Sequence, residues 1–295
     1  LQKRVIIMNG MFNILKPSGM SSNAVLSKIK KRFNIKKVGH LGTLDPLATG
    51  VLPVAVGKAT KLFDYFLKKN KVYKAVFTFG KLTNTLDSEG TVINTSEHIP
   101  SKADIQKVLS NMTGQIDQIP PNFSAKNING KRAYELARQD KEFTLPPKTV
   151  NIYSFDLLEQ VDKNSYLFEI SCSSGTYIRS IARDLGKLLN TYAYMSALVR
   201  VKSGIFDISN SITMEELLQE NSQKQLINFE ELLTGFEKIN LDDKYYNDLV
   251  NGIKIETDIT KNKEFLLYCK NELFGIAYNL NGYLKIKVNL KIYNN

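Results

Sequence analysis

Four polar side chains in this sequence stand where chemistry is possible. Asp45 lies in "GHLGTLDPLATGVLP", Gly39 to Pro53, ahead of Pro46 and between Gly42 and Gly50. Proline disfavours helical geometry at the residue before it, and the glycines permit tight turns and close approach by a ligand backbone. A carboxylate held this way, with His40 nearby, suits a nucleophile or a general base. Asp-Pro is equally an ordinary turn initiator, and His40 reads equally as a turn or packing residue. Tyr73 falls in "KVYKAVFTFG", where Tyr73, Ala75, Phe77 and Phe79 alternate onto one face. That pattern is a half-buried strand, with Tyr73 in the core and its hydroxyl reaching a polar partner. Arg179 follows the "SSGTY" turn near the start of a helix, the end where the helix dipole disfavours a cation. A specific anionic partner would account for it; an exposed arginine on a first turn is the plainer reading.

The elements that must position these groups follow from periodicity. A short apolar strand, Phe12 to Leu15, leads into the turn "KPSGMSS". Ser22 or Asn23 is the expected cap of the next helix, which places Val25, Leu26 and Ile29 on one face. "VLPVAVG" reads as a buried strand, and "KATKLFDYFLKK" has helical spacing. "SKADIQKVLSNMTG" carries a capping-box pair in Ser101 and Asp104 and ends at Gly114. "YLFEISCSS" is a strand, followed by the helix "YIRSIARDLGKLL". Several strands are one-sided, so the expected class is α+β with a mixed, largely antiparallel sheet. "MEELLQENSQKQLINFEELL" reads as a peripheral helical connection. Beyond Ile239 the texture becomes short strands, "GIKIE", "EFLLYCK", "LFGIAYN" and "YLKIKVNL". The expected division is a catalytic domain over 8–238 and a small all-β domain over 239–295.

Charge narrows the partner. The net charge is +11, and "KIKKRFNIKK", Lys28 to Lys37, holds six basic residues in ten. No acidic residue precedes Asp45, whereas nine lysines or arginines do. Clustering of this kind fits a surface that faces phosphates. No run approaches the roughly 20 apolar residues of a membrane helix, and no signal-peptide pattern opens the chain. With two cysteines and two histidines, no metal-ligand cluster is expected. Cys172 and Cys269 are read as reduced structural thiols. "GVLPVAVGKAT" imitates a phosphate loop, but six residues separate Gly50 from Gly57 and Ala59 stands where Ser or Thr is needed, so nucleoside-triphosphate binding is not supported.

Together with "LKPSGMSS", "PPNFSAKNINGKRAYELAR", "CSSGTYIRSIARDLG" and "LVRVKSGIF", these blocks make the chain resemble the TruB family of bacterial tRNA pseudouridine-55 synthases. They occur in family order over most of Met8 to about Ile212. The segment after Ile239 is similar to the family's PUA-type RNA-binding module, chiefly through "LVNGIKI". The resemblance implies that Asp45 is the essential aspartate, Tyr73 the tyrosine that stacks on the target base and is implicated in proton removal from C5, and Arg179 the arginine paired with the aspartate. It further implies that His40, Lys16 and Tyr177 bind substrate and that Leu198 lines the uracil pocket. Leu41 and Lys148 depart from the family pattern, which often has Thr and Arg there. The implied reaction turns uridine into pseudouridine at the T-arm of tRNA. It gains or loses no atom and moves no electron, so it needs no cofactor. The expectation is a cytoplasmic monomer with no membrane partner; a non-catalytic tRNA-binding protein on the same scaffold is the competing reading.

Overall fold

The computed structural model describes residues 8–124, 126–128, 130–139, 143–259 and 263–292. The basic-apolar start, residues 1–7, lies outside them. Its first strand, β1 (Gly10–Lys16), is followed by helix α1 (Ser22–Phe33). Ser21 caps that helix, accepting from the Ala24 amide, one residue earlier than the sequence suggests. Ser22 is instead turned inward, where its hydroxyl bonds both the amide and the carbonyl of Leu44 at 2.9 Å. Asn34 ends the helix in the left-handed region at φ 52, as a C-terminal asparagine can.

Strands β2 (Val38–His40), β3 (Thr49–Val56) and β4 (Lys71–Phe79) come next. Between β3 and β4 the "KATKLFDYFLKK" segment forms a 3-10 turn, Gly57–Leu62, that passes into the short helix α2 (Phe63–Leu67). A hairpin of β5 (Lys81–Thr83) and β6 (Val92–Thr95) leads to α3 (Lys102–Val108), whose Ser101–Asp104 capping box is complete. After β7 (Gly114–Gln118) comes a small ladder of β8 (Asn127–Ile128) and β9 (Lys131–Arg132), then α4 (Ala133–Ala137). The long β10 (Lys148–Asp162), β11 (Ser165–Cys172), α5 (Ile178–Leu188), β12 (Ala193–Ser203) and β13 (Phe206–Asp207) complete this part.

The main sheet runs β1-β3-β12-β4-β11-β10-β7, with β2 added on β3 and β13 on β12. Every pairing is antiparallel except β3 with β12. One face is covered by α1, α3 and α5. It buries Val25, Ile29 and Phe33 from the first, Ile105 from the second, and Ile181 and Leu185 from the third. Alternation along β4 puts Tyr73, Ala75, Phe77 and Phe79 into this core, as their period of two requires.

A second sheet, of β14 (Lys238–Leu241), β15 (Phe265–Cys269), β16 (Glu272–Leu280) and β17 (Tyr283–Asn289), follows that order in space. The "GIKIE" stretch is not one of its strands. A short helix, Tyr246–Asn251, ends at Gly252 with φ 67, and residues 252–256 leave it as irregular chain bridged at Glu256 to Tyr283. Leu266, Tyr268, Ile276, Val288 and Leu290 join Met11, Val51, Ala55 and Phe229 in one apolar cluster on the other face of β1 and β3. The acidic connection is therefore part of a core through Phe229 and Leu232. Among the described residues no helix is long and apolar enough to cross a membrane.

Candidate active site

The segment 41–48 joins β2 to β3 without regular structure, yet neighbouring groups hold it along its length. The Leu41 side chain packs into the cluster under the second sheet and Leu44 into the helix-covered core. Arg200 donates to the Gly42 carbonyl at 3.0 Å. Ser22 holds Leu44 from both sides, and Ser18 donates to the Leu47 carbonyl at 2.9 Å. The Pro46 carbonyl accepts from the Gly19 amide at 2.8 Å and from the Lys16 ammonium at 3.2 Å. Gly42 sits at φ +103, a backbone conformation that an L side chain rarely adopts. The Gly and Pro pattern in the sequence thus marks a rigid platform, and Asp45 is its projecting group.

Arg179 meets Asp45 from the first turn of α5, with its Nη2 3.0 Å from Asp45 Oδ2. The guanidinium is almost entirely buried, whereas 35 % of the Asp45 side chain is exposed. An incoming group therefore reaches the acid and not the base. Among the described residues, no hydrogen bond reaches Asp45 Oδ1. The Arg179 fork is filled elsewhere, with Nη1 3.2 Å from Asp87 Oδ2 and bonded to the Thr85 carbonyl, and Nη2 bonded to the Phe123 carbonyl. The plainer sequence reading, an exposed arginine, fails because two carboxylates and two carbonyls converge on it.

Asp87 is the site residue that the sequence reading missed. Its side chain is 4 % exposed, and its Oδ1 accepts from Thr85 Oγ1 at 2.6 Å and from the Glu89 amide at 3.1 Å. Leu86, between them, adopts φ 63, unusual for a residue with a side chain. That turn lets the Thr85 carbonyl and the Asp87 carboxylate face one guanidinium. In sequence, "TLDSEG" shows a turn with an aspartate and nothing that links it to an arginine 92 positions later. The N-terminus of α5 has no side-chain cap of its own. Gln118 supplies one, accepting from the Tyr177 amide at 2.8 Å and donating to its carbonyl at 3.1 Å.

Although Asp45 is open on one side, the rest of its carboxyl group lies among protein atoms, and this burial raises its pKa above the ordinary aspartate value. The Arg179 guanidinium works against the rise, the Asp87 carboxylate adds to it, and the Lys16 ammonium opposes it. Tyr73 is 7 % exposed, and burial raises its phenol, with the Arg200 guanidinium beside it pulling the other way. Burial likewise raises Tyr177, whose field includes both Arg179 and Asp45. Asp45, Arg179, Tyr73, Tyr177 and Lys16 thus form one electrostatic neighbourhood. Leu198 lies on the Tyr73 face, paired in register with Ala75 on the adjoining strand.

Two of the expected residues stand in less direct positions. Lys16 is fully buried, and its ammonium bonds the carbonyls of Pro17, Met20 and Pro46. Burial lowers its pKa to about 8. His40 lies on β2 opposite Val54, and the charge acting on it is that of Arg200. Its Nδ1 is buried without a hydrogen-bond partner among the described residues, and burial lowers its pKa.

The architecture recurs in solved structures. A chain of a Cbf5–Nop10–Gar1 complex superposes with a TM-score of 0.68 at 25 % identity, covering 94 % of this chain and 84 % of that one. A chain of an H/ACA ribonucleoprotein bound to a substrate RNA containing 2′-deoxyuridine superposes at 0.69 with 22 % identity, over 96 % and 85 %, and supports the fold alone. The class is therefore a pseudouridine-synthase fold with an added C-terminal sheet. Residues 30–178 match the N-terminal domain of the TruB family pseudouridylate synthases, and residues 179–243 the C-terminal domain of tRNA pseudouridylate synthase B. The tRNA pseudouridine synthase B of Clostridium kluyveri is 39 % identical over 92 % of this chain and 96 % of its own. That of Clostridium novyi is 40 % identical over 95 % and 99 %. The chain belongs to the TruB family of pseudouridylate synthases, which are isomerases.

Proposed function

We propose that this enzyme converts uridine to pseudouridine at position 55, in the T-loop of tRNA, with Asp45 as the reacting carboxylate. The observation that supports this most directly is the asymmetry of the Asp45–Arg179–Asp87 cluster. One acid is buried and fixed, the base is buried and shared, and the other acid is open to an incoming nucleotide. The relatives' names supply tRNA as the substrate class. The basic run on α1 and the segment after it supplies a surface for its phosphates.

The target base leaves the RNA stack at a cost of a few kcal/mol. Tyr73 and Leu198 form an aromatic and an apolar wall against it. Asp45 acts as a carboxylate, which Arg179 favours against the cost of burial. The bond between N1 and C1′ breaks and one between C5 and C1′ forms, while C5 loses a proton and N1 gains one. Burial raises the Tyr73 phenol; its ring faces the base and its hydroxyl is the group beside the C5 proton. Holding the detached base while it turns makes positioning as important as acid–base strength. In this reading Tyr177 closes the pocket beside Arg179, and His40 contacts the RNA near the extruded nucleotide. Lys16 acts from beneath the loop through Pro46. The domain boundary is placed at 238/239, the second sheet serves as a PUA-like RNA contact, and the protein works as a cytoplasmic monomer.

Incubation with an unmodified tRNA transcript, followed by mapping of pseudouridine, tests the reading. The expected product is confined to the T-loop uridine, and the Asp45→Asn variant binds the transcript without forming it. Product at another position would move the substrate assignment, and substantial product from Asp45→Asn would remove Asp45 from the chemistry. Release of uracil would instead indicate a hydrolase.

A further inference from the structure

The main sheet lines up Lys16, Gly50, Arg200 and Tyr73 in one row across β1, β3, β12 and β4. Lys16 is 0 % exposed and Arg200 1 %, so two cations stand buried on either side of a glycine. Gly50 has φ +102, and a Cβ there would run into the Arg200 carbonyl. No side chain therefore separates the two cations. Both reach the loop that carries Asp45, but at different points. Lys16 bonds the Pro46 carbonyl, one residue after Asp45, and Arg200 bonds the Gly42 carbonyl, three residues before it.

A buried guanidinium usually has a carboxylate partner, because an unpaired charge in the interior is expensive. Among the described residues Arg200 has none. Its Nε donates to the Val51 carbonyl at 2.7 Å and its Nη2 to Gly42, so backbone dipoles and the neighbouring Tyr73 phenol answer the charge. Its charge is felt nearby: beside burial, the larger cause at each, it contributes to the lowering of His40, Lys71 and Lys16, and it opposes the rise at Tyr73. A methionine or leucine would fill this space without that cost. What the guanidinium adds is a planar fork with donors in fixed, divergent directions. One donor grips β3, a second grips the loop, and the group as a whole lies against the Tyr73 phenol.

We propose that Arg200 is a positioning residue for the isomerisation. Together with Lys16 it brackets the Asp45 loop at Gly42 and Pro46 and ties that loop to Tyr73, so that carboxylate and aromatic wall keep a fixed separation. This rests on the reading of Asp45 and Tyr73 as the groups that meet the nucleotide. Arg200 touches neither substrate nor reacting atoms; its effect passes through the loop carbonyl and the tyrosine.

The test uses the full chain with an unmodified tRNA transcript, comparing the parent with Arg200→Lys and with Lys16→Met. Each preparation is measured for saturating single-turnover rate, half-saturation by tRNA, and melting midpoint. Product formation by the parent is established first, so failure of the functional reading is seen before any variant is made. The lysine keeps the charge but cannot span both carbonyls, and a displacement of about 1 Å at a reacting group lowers rate by about 10²-fold. The expected result is a loss of that order in the saturating rate, with half-saturation within about twofold of the parent. An unchanged rate in the folded variants overturns the proposal. So does a loss that follows the melting midpoint and appears equally in half-saturation, the signature of a merely structural residue. If Arg200→Lys does not fold, Lys16→Met decides, since it opens the other end of the bracket and leaves the fork in place.

Discussion

Arg179 and Arg200 are both buried, both close to the same aspartate loop, and held in opposite ways. Arg179 is met by two carboxylates and two carbonyls. Arg200 is met by carbonyl dipoles and a phenol. Where charge answers charge, the ionisation of the acid is at stake, and Asp45 feels Arg179 as the chief influence against its burial. Where dipoles answer charge, direction is at stake, because a guanidinium fork fixes the angle between the groups it holds. One arginine sets what the carboxylate is, the other where it stands.

Breaking the first arginine should give the largest effect. Arg179→Met leaves Asp87 buried without its cation, and loss of one partner of a buried pair costs about 3–5 kcal/mol. Urea unfolding should show that loss along with abolished product. An unchanged midpoint would mean that Thr85 and the Glu89 amide suffice for Asp87. Asp45→Asn should separate the two quantities. Product should fall by at least about 10³-fold, while stability at neutral pH holds or rises. The sign follows from the raised pKa in the folded state. The stabilisation linked to that shift is complete below the unfolded value and is lost as pH rises through the folded one. Above that window the ionised side chain burdens the fold, and asparagine does not. Unfolding midpoints between pH 5 and 8 check this, and a less stable asparagine variant at neutral pH would contradict it. Smaller still, Tyr73→Phe should keep tRNA affinity and slow turnover by about 10²-fold; a normal rate would leave the ring as the group that matters and the hydroxyl as incidental to Arg200.

The sequence was most legible where a local pattern controls the outcome. Alternation in β4 put Tyr73 inside, and the Gly and Pro spacing around Asp45 announced a fixed loop. The helix bearing Arg179 was equally plain from its periodicity. What the sequence hid were partnerships made across the fold. Asp87 acquires meaning only when β12 pairs with residue 87 and α5 lays Arg179 over it. Arg200 lies on a strand, β12, that the sequence reading did not place, and its lack of an acidic partner is visible only in three dimensions. The helix cap moved from Ser22 to Ser21 for the same reason, since Ser22 is claimed by Leu44 from another part of the chain. "GIKIE" alternates like a strand, yet it leaves the helix that ends at Gly252 as irregular chain with a single bridge at Glu256.

The cluster that joins Met11 and Val51 to Val288 and Leu290 has a bearing on assembly. The strands flanking the Asp45 loop are completed on one face by residues that lie far along the chain from them. Removing β17 would take Val288 from that face. Support of the Asp45 loop from this side therefore depends on a contact of long sequence separation, whose loop-closure entropy has to be met before the contact rewards it.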